Sequence, residues 1–172
     1  MAENHSWLED KYRAIFGYTG LICAIAGVTM LCPLTALSAY PEEIDLAISF
    51  IFPGLFLAAI GLLLWGKLKD SSAILNIKDG AIVIVLSWVI AIAFGTIPFI
   101  TTSNLNFTQA VFEYASALST VGLSVGVTAP DAPIGLLWTE IIAMFLGRLE
   151  FLPAIVGLIQ IYRDVREFIW NK

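Results

Sequence analysis

Long apolar runs constrain this chain more than any other feature of its sequence. Residues 15–38, 46–65, 81–100 and 134–162 are dominated by aliphatic and aromatic side chains. A helix needs about 20 such residues to cross the hydrocarbon core of a bilayer, and each run reaches that length. Charged residues make up only 13% of the 172 residues, which is too little to cover the surface of a soluble domain. The sequence therefore predicts an all-α integral membrane protein with four spanning helices.

A polar stretch, GKLKDSSAILNIKDG at residues 66–80, separates the runs into two groups. Residues 1–70 are predicted to hold an N-terminal interfacial segment, with a short helix of its own, and a transmembrane hairpin turning at YPEEID. Pro33 is expected to kink the first helix of this hairpin near its end, and Pro53 to break the second. Residues 71–172 are predicted to form a separate unit around the last two runs.

A cleaved signal peptide is the alternative to the first membrane helix, because LTALSAY offers small residues for cleavage. The apolar stretch at residues 14–39 is longer than the apolar region of a signal peptide, which has about 7–15 residues. We therefore retain the membrane helix.

Lysine and arginine predict how the chain is oriented in the membrane. Basic residues occur near the N-terminus, in the polar linker and near the C-terminus, but not in YPEEID or at residues 101–147. Because basic residues favour the cytoplasmic side, both termini and the linker are expected on the cytoplasmic side of the cell membrane. The hairpin turn and the region after residue 100 are then expected to face outward.

The region after the third run combines a short helix with an irregular segment. Residues 107–119 are predicted to form a helix too short to cross a bilayer, capped by Asn106 or Thr108. The sequence STVGLSVGVT follows, with hydroxyl groups, two glycines and no helical or strand period. Irregular backbone at membrane depth persists only where protein buries it or where it lines a watery cavity. Residues 119–124 are therefore predicted to line an ion path.

The residue types of this segment suit a K⁺ filter. Such filters replace the hydration shell of an ion with backbone carbonyls, and their backbone must alternate in hand for successive carbonyls to face one axis. Gly122 can adopt the positive φ that this requires, while Val121 and Leu123 are expected to pack behind the filter. The alternative is an external loop that binds no ion. The predicted filter residues are Thr120, Val121, Gly122, Leu123 and Ser124.

The sequences NFTQAVFEYASALSTVGLSVGVT and AMFLGRLEFLPAIV resemble the pore of the Trk/Ktr/HKT cation transporters. This resemblance implies a helix–pore helix–filter–helix unit, of which such transporters carry four non-identical copies around one K⁺ pathway. SWVIAIAFGTIPFI is similar to the outer helix of the first repeat, and residues 18–65 are similar to the hairpin that precedes it. TVGLS and GRLE, by contrast, resemble the fourth repeat. The chain thus resembles the start of the first repeat joined to the end of the fourth.

Three charged residues are candidates for a gate or for a salt bridge between subunits. Arg148 lies about 14 residues into the fourth predicted helix, near the bilayer centre, where a charge costs about 2.5–3.5 kcal/mol. The resemblance implies that this arginine restricts ion passage below the filter. The alternative is a salt bridge to Glu150, or to Glu113 of a neighbouring chain, and we expect such a sideways pairing. Glu113 and Glu140 either lend negative potential to a cation path or bond to nearby backbone.

Several classes of function lack support in the sequence. It contains no catalytic set, metal-ligand cluster, phosphate-binding loop or basic stripe, so neither an enzyme nor a nucleic-acid-binding protein is predicted. No cofactor is expected, and K⁺ enters only as the transported ion. Regulation of the kind seen in the resembled family would require a separate cytoplasmic subunit.

These observations lead to one predicted function and one alternative. We predict a K⁺-selective, channel-like transporter subunit in the lipid bilayer that assembles as a homotetramer, because one filter segment cannot surround an ion. The alternative is a non-conducting assembly or scaffold subunit, or a fragment that pairs with full-length relatives.

Overall fold

The computed structural model describes residues 2–68, 76–129 and 131–149, with side chains from residue 8 onward. Within these ranges every regular element is a helix, which confirms the all-α prediction. The elements are α1 (Ala2–Thr29), α2 (Pro33–Leu37), a 3₁₀ helix (Pro41–Leu46), α3 (Ala47–Leu68), α4 (Ile77–Ser103), α5 (Phe107–Leu118) and α6 (Ile134–Leu149).

Three segments of the described chain are long and apolar enough to cross a membrane. They are Leu8–Leu37, Pro41–Leu68 and Ile77–Ser103, and they match the first three predicted spans. The fourth predicted span begins at Ile134 as expected, but its residues 150–162 lie outside the described residues. The four-span layout therefore stays a prediction.

The first apolar run differs from its prediction at both ends. The N-terminal residues continue without a break into α1, which therefore begins well before the predicted start of the membrane helix at residue 15. The interfacial position of these residues stays a prediction. At the other end α1 stops at Thr29, and Pro33 begins the short helix α2 instead of kinking one long helix. Proline is favoured in the first turn of a helix, because N–H groups there have no acceptor within the helix and the N–H that proline lacks is not needed. The turn between α1 and α2 brings α2 against α6.

The predicted break in the second run is absent. α3 passes through Pro53 and Gly54 without interruption, and both residues are buried. The proline removes one helical hydrogen bond, which costs stability in isolation. Close packing of α3 on α1, beginning one residue later at Gly54, holds the helix together at this point.

α1 and α3 pack through small residues that share one spacing. A Cβ atom added to Gly61 would lie 2.5 Å from both the Ala24 amide nitrogen and the Gly20 carbonyl oxygen. Only glycine permits backbones to approach this closely, as in small-residue interfaces between membrane helices. The matching positions, each in the pattern Gly-xxx-Ala-xx-Gly, are Gly20, Ala24 and Gly27 on α1 and Gly54, Ala58 and Gly61 on α3.

α4 connects this helical hairpin to the rest of the chain, since it packs against α1, α3 and α5. At its start the Asn76 amide donates to the Asp79 carboxylate over 3.1 Å. The same carboxylate pairs with Lys11 of α1 over 2.7 Å. This ion pair ties α1 and α4 together at one end, and the far end of α4 carries the short helix α5.

Candidate functional site

The short helix α5 is built as the sequence predicts. Of the two candidate caps, Asn106 is the one used: its side-chain oxygen accepts from the Gln109 amide at 2.9 Å. The Gln109 side chain accepts from the Asn106 amide at 3.2 Å, which completes a reciprocal capping box. α5 ends at Leu118, within one residue of its predicted end. At 12 residues it is too short to cross a bilayer.

Two close contacts fix α5 between its neighbours. On one side a Cβ atom on Gly95 of α4 would overlap the ring atoms of Tyr114, which itself packs edge-on against Phe99 with ring centroids 6.1 Å apart. On the other side a Cβ atom on Gly147 of α6 would overlap the carbonyl oxygen of Leu118. α4 and α6 therefore hold both the flank and the C-terminal end of α5, where the irregular segment begins.

The φ angles of the irregular segment alternate between negative and positive values. Thr120 has a φ of 57° and Gly122 a φ of 75°, whereas Ser119, at −79°, and the intervening Val121 have negative φ. The left-handed conformation of Gly122 agrees with the sequence argument. That of Thr120 could not be foreseen, because a β-branched residue there is unfavourable by about 1–3 kcal/mol. Such an outlier marks a backbone that its surroundings hold in place.

Alternate amides of the segment point back to α5. The Val121 amide donates to the carbonyl of Ser116 at 3.0 Å, and the Leu123 amide donates to the Ser116 hydroxyl at 2.9 Å. The Val125 amide donates to a carboxylate oxygen of Glu113 at 2.8 Å. The three bonds come from every second residue, so one edge of the segment is anchored to the side of α5.

The opposite edge of the segment is left open by the described residues. No described residue donates a hydrogen bond to any carbonyl oxygen of residues 119–126. The side chains of Val121 and Leu123 are each 60% exposed, so the prediction that they pack behind the segment is not met within the chain. The positions behind the segment belong to Ser116 and Glu113 instead, because the inward-facing amides need acceptors that aliphatic side chains cannot supply.

Glu113 is the centre of the polar support behind the segment. It is 2% exposed and accepts from the Ser124 hydroxyl at 2.5 Å and from the Thr128 hydroxyl at 3.0 Å, besides the Val125 amide. The Thr128 hydroxyl also lies 3.1 Å from Glu140 of α6, which is 5% exposed. Of the two roles considered for Glu113, bonding to nearby backbone is the one observed within the chain.

Glu43 of the 3₁₀ helix caps α6 from a distance in the sequence. Its carboxylate accepts from the Ile134 amide at 3.1 Å and from the Gly135 amide at 3.4 Å. Sequence reasoning treated YPEEID only as a turn and missed this role. The available signal was Pro133, the residue before α6, which has no side-chain acceptor and leaves the helix start in need of one.

The predicted partners of Arg148 do not meet it within the described chain. Arg148 is exposed on the last described turn of α6, and no described carboxylate pairs with it. Glu113 is buried and accepts from other donors within its own chain, so its pairing with Arg148 of a neighbouring chain stays a prediction. Glu150, the other predicted partner, lies outside the described residues, so its pairing stays a prediction.

Comparisons with known proteins find one family model and several relatives. The family model TrkH, described as cation transport protein, matches residues 54–164. The chain is 28% identical over 163 residues to the Trk system potassium uptake protein TrkH of Vibrio parahaemolyticus, covering 89% of this chain and 33% of that protein. It is 28% identical over 149 residues to the Trk system potassium uptake protein TrkG of Escherichia coli, covering 86% and 30%.

An uncharacterised cation transporter of Methanocaldococcus jannaschii is 27% identical over 136 residues, covering 78% of this chain and 28% of that protein. The chain thus spans about a third of the length of the curated relatives that it matches. No solved structure matches it.

Proposed function

The chain belongs to the TrkH family of cation transport proteins, and on that premise we propose that it forms one wall of a K⁺ pathway across the membrane. In this proposal residues 119–124 are the filter, α5 is the pore helix, and α4 and α6 are the outer and inner helices of the pore unit. The relatives named as potassium uptake proteins support K⁺ as the transported ion.

The observation that carries this proposal is the row of carbonyls along residues 119–126 that accept no hydrogen bond from any described residue. On the other edge of the segment, alternate amides are anchored to Ser116 and Glu113. When φ alternates in sign along a segment and the amides are held on one side, the carbonyl oxygens lie on the other side. Carbonyl oxygens arranged in this way replace the hydration shell of K⁺. The C-terminal end of α5 adds the negative end of its helix dipole at the same place.

A homotetramer completes the pathway in our proposal. One segment per chain cannot surround an ion, and closed cyclic assembly is the usual way for identical subunits to form a ring. Apolar side chains exposed beside the filter, at Val121 and Leu123, suit burial against neighbouring copies in such an assembly. The termini and the linker after α3 lie on the cytoplasmic side of the cell membrane, where a separate regulatory subunit would bind.

The experiment that tests the proposal is ion flux through the purified full chain in liposomes. Gly122→Ser should lower the ratio of K⁺ flux to Na⁺ flux, because a side chain disfavours the left-handed backbone at this position. Gly66→Ser is the matched control, since Gly66 lies in α3 and, beyond the neighbouring turns of its own helix, no described atom lies within 4 Å of an added Cβ. An unchanged flux ratio in Gly122→Ser, or equal loss in both variants, would contradict the assignment of the filter.

Arg148 is proposed to act at the inner end of the pathway. Four arginines around one axis would repel each other by about 2 kcal/mol per pair at ~8 Å and an effective dielectric of ~20. We therefore propose that each turns sideways to a carboxylate of an adjacent helix, with Glu150 as the candidate partner. Arg148→Ala should then weaken the tetramer and raise the ion flux of the tetramer that remains. No change in assembly or flux would remove both roles.

A non-conducting subunit that pairs with full-length relatives is the second candidate, and it is favoured by the coverage of only about a third of those relatives. The mass of the purified complex separates the two candidates. Four copies support a self-contained pathway, whereas a monomer or dimer that joins a full-length relative supports the second candidate.

A further inference from the structure

Two buried carboxyl groups meet behind the segment that we propose as the filter. Glu113 extends from α5 and is 2% exposed, while Glu140 extends from α6 and is 5% exposed. The hydroxyl of Thr128 lies between them, 3.0 Å from Glu113 and 3.1 Å from Glu140. Each of these contacts needs a hydrogen atom.

The available hydrogens do not suffice if both carboxyls are ionised. The Ser124 hydroxyl and the Val125 amide donate to Glu113 and leave none for Glu140. The Thr128 hydroxyl has one hydrogen, so it can donate to one carboxylate only. Its contact with the other carboxyl then requires a proton on that carboxyl. Because Glu113 accepts from two further donors, the proton belongs on Glu140.

No positive charge in the described chain offers another solution. None of the described basic side chains pairs with either carboxyl. From α5 itself, Tyr114 is the neighbouring titratable group, and it packs against Phe99 of α4. α2 carries no titratable residue, and α4 carries Asp79 and Lys78 only at its far end.

The acidic residues at the outer end of the chain are engaged elsewhere or exposed. In the 3₁₀ helix, Glu43 is bonded to the start of α6, while Glu42 and Asp45 are exposed. Asp131, in the loop before α6, is also exposed. Among the described residues, both charges of an ionised Glu113–Glu140 pair would therefore be buried with no positive charge beside them.

We propose that Glu113 and Glu140 share one proton and that this proton holds the residues 119–126 segment in its conducting shape. Protonated Glu140 donates to Thr128, Thr128 donates to Glu113, and ionised Glu113 holds Ser124 and Val125. Loss of the proton to water leaves two carboxylates that repel each other, and Glu113 carries Ser124 and Val125 with it. The effect on ion flux rests on the proposed function, whereas the shared proton itself does not.

The proton is measured first, without any transport assay. Infrared spectra of the purified full chain in lipid should show the C=O absorbance of a protonated carboxyl at neutral pH, and this absorbance should disappear in alkaline buffer. It should be missing at neutral pH in Glu140→Gln. Glu42→Gln, the same chemical change at an exposed position, should retain it. Wild-type absorbance that is absent at neutral pH, or that persists in Glu140→Gln, overturns the proposal.

Ion flux is measured next on the same preparations. Wild-type and Glu42→Gln flux should fall above neutral pH by up to about tenfold per pH unit, the slope for loss of one proton. Glu140→Gln should keep its flux at alkaline pH, because the amide donates to Thr128 without an ionisable proton. The same alkaline loss in Glu140→Gln as in wild type overturns the regulatory role.

The two measurements separate the two proposals. Absence of K⁺ flux at every pH, together with the expected infrared result, would refute the proposed function and leave the shared proton supported. If Glu140→Gln does not fold, the test uses the wild-type protein alone. Its infrared absorbance and its ion flux should then be lost at the same pH. Separate transitions then overturn the link between the proton and the filter.

Discussion

We predict that Gly147→Ala destabilises the chain by about 1–2 kcal/mol. The added Cβ atom would overlap the carbonyl oxygen of Leu118, at the end of α5. Backbone atoms lie on both sides of this contact, so no flexible side chain can move aside. α6 and α5 must separate instead, and a gap of about 0.5–1 Å already removes a quarter to a half of the dispersion attraction between the facing atoms.

The magnitude follows from two opposing effects. Overpacking of this kind costs about 1–3 kcal/mol. Alanine in a helix interior recovers about 0.5–1 kcal/mol relative to glycine, because it loses less backbone entropy on folding. The net loss should lower the melting temperature by about 2–8 °C for a chain of this size. Circular dichroism of the purified protein during heating in detergent measures this shift.

Gly66→Ala is the matched control, because it makes the same change in a helix where, beyond the neighbouring turns of that helix, no described atom lies within 4 Å of the added atom. This variant should gain about 0.5–1 kcal/mol and melt slightly higher than the wild type. The two glycines thus predict shifts of opposite sign. A Gly147→Ala protein that melts at or above the wild-type temperature would refute the close approach of α6 to the end of α5.

Three further outcomes are expected from the contacts described above. Glu43→Ala should cost about 1–2 kcal/mol, because two amides at the start of α6 lose their acceptor, and faster hydrogen exchange of those amides would show it. Asn106→Ala should cost about 1 kcal/mol and speed exchange in the first turn of α5 only; protection equal to wild type would exclude the cap. Gly61→Leu should cost about 3 kcal/mol or more and separate α1 from α3, which a cysteine pair introduced across these helices would report as lost cross-linking.

The helices themselves could be predicted closely from the sequence. α5 begins after Asn106 and ends at Leu118, because capping groups and helix length are local properties of the chain. The left-handed backbone at Gly122 was also predictable, since glycine is the residue that adopts it without steric cost. Membrane-length runs and the absence of charge within them identified three spans for the same local reason.

Prolines show where local reasoning stops. Pro33 begins a new helix, whereas Pro53 lies inside one that continues, and the residue type is the same in both cases. The difference arises from what each segment packs against. α3 stays continuous because its backbone lies directly on α1 beside Gly54, while the turn before Pro33 lets α2 reach α6.

The polar support of the segment was decided by tertiary structure alone. From the sequence, Glu113 and Glu140 were expected to lend negative potential to a cation path or to bond to nearby backbone, but nothing there indicated that both would meet at Thr128. The same holds for Glu43, which lies 91 residues from the helix start that it caps. Hydrophobic patterning depends on neighbours along the chain, so it can be read directly from the sequence. A buried polar group takes its partner from whichever helices pack beside it, and that choice exists only after the chain has folded.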